Sequence, residues 1–244
     1  MTAQDIISEL QAEGSTEKAA HLARFFKTGK GQYGEGDRFL GISVPIQRTI
    51  VKKYILAPHS VLKELLASPW HEARLTALLI LLQQFEKNKD EIFRASCVEF
   101  YLAQTLHINN WDLVDTSCYK LLGVWLKDKD RQILYQLAHS SNMWEQRIAM
   151  VTCMCFVRQG DFKDCLNIAD LLLNHPHDLI HKSVGWLIRE VGKKDRQTLV
   201  DFLASRYQKM PRTMLRYAIE HFPDAARKKY LQKTGCVARV NGLI

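Results

Sequence analysis

The sequence predicts an all-α chain built as a solenoid of two-helix repeats. Three observations carry this. No segment alternates apolar and polar residues with period two, so no sheet is expected. All six prolines (45, 58, 69, 176, 211, 223) fall at or beside expected helix starts, where a missing N–H costs least. Finally, Ser68-Pro-Trp-His-Glu72-Ala-Arg74 is echoed by Ser141-Asn-Met-Trp-Glu145-Gln-Arg147. Half the spacing between the two arginines is a period in the mid-thirties. One such step from Arg74 lands at Trp111, and one step beyond Arg147 lands near Lys182 and Ser183. That period fits a two-helix solenoid unit better than a globular bundle. Stacked units would form a curved array whose second helices line the concave side.

In order, residues 2–13 and 15–28 read as two short amphipathic helices, the second with Ser15 as N-cap. The Gly-rich stretch 29–41 lacks phosphate-loop spacing and follows no strand, so it reads as a surface loop. Helices are then expected near 44–56, 58–67, 69–87, 89–107, 110–127, 130–139, 142–159, 162–174, 177–193, 196–209, 211–222 and 223–233. They would make one domain over 1–233, followed by a loose tail at 234–244. The net charge of +8 favours an anionic partner such as nucleic acid or an acidic membrane surface, although many basic proteins have neither. No signal peptide is evident. The longest apolar run, 73–82, is too short to span a bilayer, so no membrane association is expected. The six cysteines (97, 118, 153, 155, 165, 236) show no CxxC spacing and read as reduced structural thiols, not zinc ligands or disulfides.

The stretch Asn109 to Leu126 organises the chain. Asn109 or Asn110 can cap a helix. At about 100° per residue, Trp111, Val114, Cys118, Leu122 and Trp125 then form one apolar stripe. Asp115 falls inside that stripe, one turn after Trp111. A carboxylate placed there must be paired, protonated or used. Asp112 projects to the flank, where it complements the helix dipole.

Arg147 lies at the edge of the stripe Trp144, Ile148, Val151, Cys155. Its spacing fits equally an ion pair within the repeat or a guanidinium offered to phosphate. Trp186 projects away from Ile180, Val184, Leu187, Ile188 and Val191, beside Lys182, Arg189 and Lys193. An indole among cations is the pattern of a nucleic-acid surface, and packing against the next repeat is the alternative. Trp70, Trp125 and Trp144 read as core. His177 and His181 have HxxxH spacing, but no third ligand is evident, so a polar helix flank is preferred to a metal. The runs Lys127–Arg131 and Lys193–Arg196 read as solvated turns.

Taken together, Gly41-Ile-Ser-Val-Pro45, Glu72-Ala-Arg74, Trp111-Asp-Leu-Val-Asp115, Trp144-Glu-Gln-Arg147 and Gly185-Trp-Leu-Ile-Arg189-Glu190 resemble the DNA alkylation repair family of HEAT-like-repeat DNA glycosylases, the AlkD type. The resemblance implies a right-handed HEAT-like α-solenoid, curved, with a basic concave face. It implies that Trp111, Asp115 and Trp186 border the lesion, that Asp115 is the catalytic carboxylate, and that Arg147 supports binding there. Lys182, Arg189 and Lys193 would contact DNA, with Ser43 and Arg48 as further candidate contacts. The partner would be double-stranded DNA with alkylated bases, bound by a monomer of the cytoplasm, nucleoid-associated, with no cofactor or metal. The activity implied is hydrolysis of the N-glycosidic bond of cationic N3-methyladenine and N7-methylguanine, on a surface without a pocket for an extruded base. In two places the sequence departs from the family pattern: Asn110 precedes the tryptophan where a second aromatic is common, and Gln146 stands where a further basic residue is common. The rival readings are a non-catalytic DNA-binding solenoid that recognises damaged or branched DNA, and a protein scaffold without salt-sensitive DNA binding.

Overall fold

A computed structural model describes residues 1–232. The tail expected at 234–244, with Cys236, lies outside the described residues. The described chain is all-helical, and its one strand-like feature is an isolated bridge between Arg38 and Trp70. The helices are α1 (Ala3–Ala12), α2 (Thr16–Phe25), α3 (Val44–Lys53), α4 (His59–Leu66), α5 (His71–Lys87), α6 (Glu91–Ala103), α7 (Trp111–Trp125), α8 (Gln132–Ala138), α9 (Met143–Thr152), α10 (Met154–Val157), α11 (Lys163–Leu171), α12 (Asp178–Lys194), α13 (Arg196–Ala204), α14 (Arg212–Ala218) and α15 (Asp224–Leu231), with a 3₁₀ turn at Thr105–His107. Among the described residues no helix is long and apolar enough to cross a membrane.

The starts follow local chemistry. Thr2 and Asp5 form a reciprocal capping box on α1. Ser15, Asp90, Asn142 and Asp195 accept from the first free amides of α2, α6, α9 and α13. Pro58, Pro211 and Pro223 stand immediately before α4, α14 and α15. The stretch 142–159 is not one helix. At Cys153 the amide turns to the Met150 carbonyl, an i→i−3 link that separates α9 from α10. Likewise, the expected 89–107 helix stops at Ala103 and finishes in the 3₁₀ turn.

The chain forms two compact units, Met1–Leu121 and Leu122–Ile244. In the first, α5 is the centre: it packs on α1, α3, α4 and α6 and is buried on nearly all sides. α5 gives Leu78, Ile80, Leu81 and Phe85 to the core, and α4, packed on it, gives Leu62, Leu65 and Leu66. In the second, α12 takes that place, against α9, α10, α11, α13 and α14. Pairing of sequence neighbours around one longer helix is the packing of an α-solenoid repeat. Gly185 is what lets α14 approach α12: a Cβ there would sit 2.4 Å from the Met214 carbonyl oxygen.

Residues 29–36 of the Gly-rich stretch are mostly exposed, but 37–42 are not a surface loop. Across the bridge the Arg38 amide donates to the Pro69 carbonyl and the Arg38 carbonyl accepts from the His71 amide, the two residues that flank Trp70. The carboxylate of Glu72, 1% exposed, accepts from the amides of Leu40, Gly41 and Ile42 at 2.9, 2.8 and 3.3 Å. Three backbone donors satisfy a charge that burial would otherwise make costly. Gly41 has φ +83°, and a Cβ would fall 2.1 Å from the Ser15 carbonyl oxygen, so only glycine fits. The motifs Gly41–Pro45 and Glu72–Arg74 are thus two sides of one strap.

Candidate functional site

In the first unit the site is built on the start of α7. Asn110 is buried, and its side-chain oxygen accepts from the Trp111 amide at 2.8 Å. The stripe reading holds for Val114, Cys118 and Leu122, each fully buried. Trp111 and Asp115 are half-buried, one turn apart at the edge of that stripe. Tyr101 is buried with its hydroxyl 2.9 Å from Ser117 Oγ. Burial first, and then the nearby Cys118 and Asp115, raises the Tyr101 pKa well above the phenol range. Tyr101 is therefore a neutral phenol at ordinary pH.

The Trp111 indole closes an aromatic stack. Phe26 lies parallel to it at 5.3 Å, Phe39 stacks on Phe26 at 5.0 Å, and the His71 ring stacks on Phe39 at 4.7 Å. Phe25, 57% exposed, meets Trp111 edge-on at 6.0 Å. The sequence gives no periodic signal for this cluster, because its members come from α2, the loop, α5 and α7.

Asp112 does more than complement the helix dipole. Its Oδ2 is 2.8 Å from His71 Nε2, while His71 Nδ1 faces Asp37 Oδ2 at 3.3 Å. Arg74 pairs with Asp37 at 2.6 Å and donates to Asn109 Oδ1 at 2.7 Å. Burial would lower the His71 pKa, but the bonds to Asp112 and Asp37 outweigh it and lift it to about 9. Burial likewise acts to raise Asp37, yet His71, Arg74 and Asn110 hold its carboxyl below the usual carboxylate range. Periodicity could show only that Asp112 leaves the apolar stripe.

Ser43 and Arg48 are both exposed. Ser43 precedes α3 and makes no side-chain cap bond, so its hydroxyl is turned to no helix amide.

In the second unit Arg147 is 5% exposed and donates to the Leu179 carbonyl at the start of α12. Arg74 makes the equivalent reach from α5 to Asn109, which explains why the two echoed motifs end in arginine. Trp186 is half-buried on the side of α12 opposite the core residues Val184, Leu187 and Ile188.

The cations beside Trp186 are not bare. Lys182 pairs with Asp178 at 2.8 Å, Lys193 with Glu190 at 2.7 Å, and Arg189 with Glu190 at 3.2 Å and with Glu220. Burial works to raise the Glu190 pKa, but Lys193 and Arg189 hold it below the ordinary value.

Of the other tryptophans, Trp144 is core, but Trp70 and Trp125 are half-buried, and Lys129 lies over the Trp125 ring at 4.3 Å. Arg131 is no solvated turn residue. It pairs with Asp161 and Asp164 at 2.6 and 2.8 Å and lies over Phe156. Arg196 similarly lies over the Phe222 ring at 3.4 Å. His177 accepts the Leu179 amide on its ring, and the His181 ring meets the His175 carbonyl. Among the described residues no cluster of metal-binding side chains occurs.

Comparison with known proteins bears on what this arrangement serves. A chain described as a predicted DNA alkylation repair enzyme from Enterococcus faecalis has the same fold, with a TM-score of 0.67 at 17% identity, over 87% of this chain and 98% of that one. No curated protein matches the sequence. The family of DNA alkylation repair enzymes matches residues 6–222. The chain therefore belongs to the DNA alkylation repair enzyme family.

Proposed function

We propose that this protein is a monofunctional DNA N-glycosylase that releases cationic alkylpurines from duplex DNA, acting as a monomer without cofactor or metal. Residues 1–233 would act as one domain on the duplex. The observation that carries the reading is the half-buried carboxylate of Asp115, one turn after Trp111 on α7. Family membership supports DNA repair as its setting.

The chemistry is consistent with that residue set. N3-methyladenine and N7-methylguanine carry a positive charge, so the leaving base is already activated. The C1′–N bond breaks, its electron pair neutralises the purine, and the sugar becomes oxocarbenium-like. Asp115 stabilises that cation and takes the proton of the water that adds to C1′, leaving an abasic sugar. No acid is required to protonate the base, and Tyr101, held as a neutral phenol, need not supply one. Trp111 and Trp186 offer indole faces to the cationic nucleotide, each contributing about 0.5–2 kcal/mol. Because Arg147 is buried against Leu179, its contribution is to position the start of α12, the helix that carries Trp186. Lys182, Arg189, Lys193, Ser43 and Arg48 would meet the phosphates. The base would leave without being extruded into a pocket.

The test is a panel of duplexes, each with one lesion, assayed for free base. Release of N3-methyladenine and N7-methylguanine but not uracil or hypoxanthine is expected. Efficient release of uracil would overturn the mechanism, since a neutral base needs its departing anion stabilised. Salt-sensitive binding with no release of any base would favour a non-catalytic DNA-binding protein instead.

A further inference from the structure

The proposed chemistry makes no use of the buried charges of the first unit, yet they converge on the first turn of the helix that carries Asp115. The His71 side chain is 3% exposed, with a carboxylate oxygen facing each ring nitrogen, Asp112 at 2.8 Å and Asp37 at 3.3 Å. A neutral imidazole has one N–H and one lone pair, so only the imidazolium can donate to both. Charge balance agrees: His71 and Arg74 then oppose Asp37 and Asp112. The same cluster holds the residues before Trp111. Arg74 donates to Asn109, and Asn110 donates to Asp37 at 3.0 Å while accepting the Trp111 amide. The rings of Phe26 and Phe39, 4.9 and 4.7 Å from the imidazole, present π faces that favour a cation, and Phe26 also stacks on Trp111.

We infer that His71 is a positioning residue, held as an imidazolium, that clamps the first turn of α7 through Asp112 and so fixes Trp111 and Asp115 for base excision. The inference rests on Asp115 being the catalytic carboxylate. The charged groups facing the ring are Asp112 from α7, Asp37 from the loop, and Arg74 from α5, whose Nη2 lies 3.5 Å from Nδ1 and opposes protonation. Loss of the ring proton breaks one of the two carboxylate bonds and leaves two buried carboxylates against one guanidinium. The first turn of α7 then loosens, so excision declines as pH rises through about 9.

The experiment follows the His71 imidazole by NMR in the full chain, with amide exchange over Trp111–Asp115, in wild type, Asp112→Asn and His71→Gln. Excision from N7-methylguanine duplex is measured in single turnover from pH 6 to 9.5, with spontaneous loss subtracted. Both ring nitrogens should stay protonated up to about pH 9, with a lower midpoint in Asp112→Asn. The α7 first-turn amides should exchange about tenfold faster in either variant, while those of α4 keep wild-type rates. The excision rate should fall about tenfold or more, with DNA affinity within about twofold of wild type. A ring that titrates near pH 6.5 in wild type overturns the inference, as do wild-type first-turn amides in Asp112→Asn, a variant that keeps the side-chain volume should His71→Gln not fold. If Asp115→Asn excises at the wild-type rate while the ring and amide results hold, the clamp stands and the reading of Asp115 is what fails.

Discussion

Trp186 carries the clearest residue-level consequence of a cationic substrate. Its indole stands among cations on the outer side of α12, half-buried and so still offering surface. An indole attracts a positively charged nucleotide by about 0.5–2 kcal/mol and a neutral one less. Trp186→Ala should therefore narrow the preference for methylated over unmodified duplex, by about two- to thirtyfold on that range. Competition binding with the two duplexes checks this. Equal loss of affinity for both would assign Trp186 to general stacking. Arg147 illustrates the opposite case. Its position at the edge of a stripe was compatible with either an ion pair within the repeat or a phosphate ligand. Its bond to the Leu179 carbonyl, on a different helix, is one that spacing could not show.

At the scale of elements, helix starts were legible because their signals are local. Proline, Ser15 and the stripe of α7 all act within one or two turns. The break at Cys153 was not legible, since neither proline nor glycine marks it. The clamp on α7 was not legible either. Asp37, His71, Arg74 and Asp112 lie on a loop and two helices, and nothing in their spacing announces that one turn of α7 needs all of them.

That cluster makes stability depend on pH in a defined sense. The His71 pKa is raised in the folded chain to about 9, so its contribution is fully present below about 6.5 and lost as pH rises through about 9. The shift corresponds to about 3 kcal/mol, as an order of magnitude. Asp37, whose pKa is lowered, acts in the opposite direction and loses its contribution only in acid. Urea unfolding of wild type between pH 6 and 10 should show stability falling on the alkaline side, and His71→Gln should remove most of that slope. Identical slopes in the two proteins would show that His71 is not the titrating group.

At the scale of the whole molecule, the net charge of +8 suits a polyanion, but charge alone cannot place the contact. Lys182, Arg189 and Lys193 of α12 are already paired with Asp178, Glu190 and Glu220, so DNA phosphates would have to compete with carboxylates for them. With about 4–6 phosphates contacted, log K against log salt should have a slope of about −4 to −5. Lys182→Ala and Lys193→Ala should each flatten it by about one. Titrations at several salt concentrations measure this, and an unchanged slope in both variants would remove α12 from the interface.

The central claim, that Asp115 carries out base excision, is tested most directly by comparing wild type with Asp115→Asn on alkylated duplex DNA and measuring the free methylated purine released. The substitution keeps the side chain's size and removes its charge. Release should fall by about a hundredfold or more, with the melting temperature and DNA affinity close to wild type. Release at the wild-type rate would contradict the account.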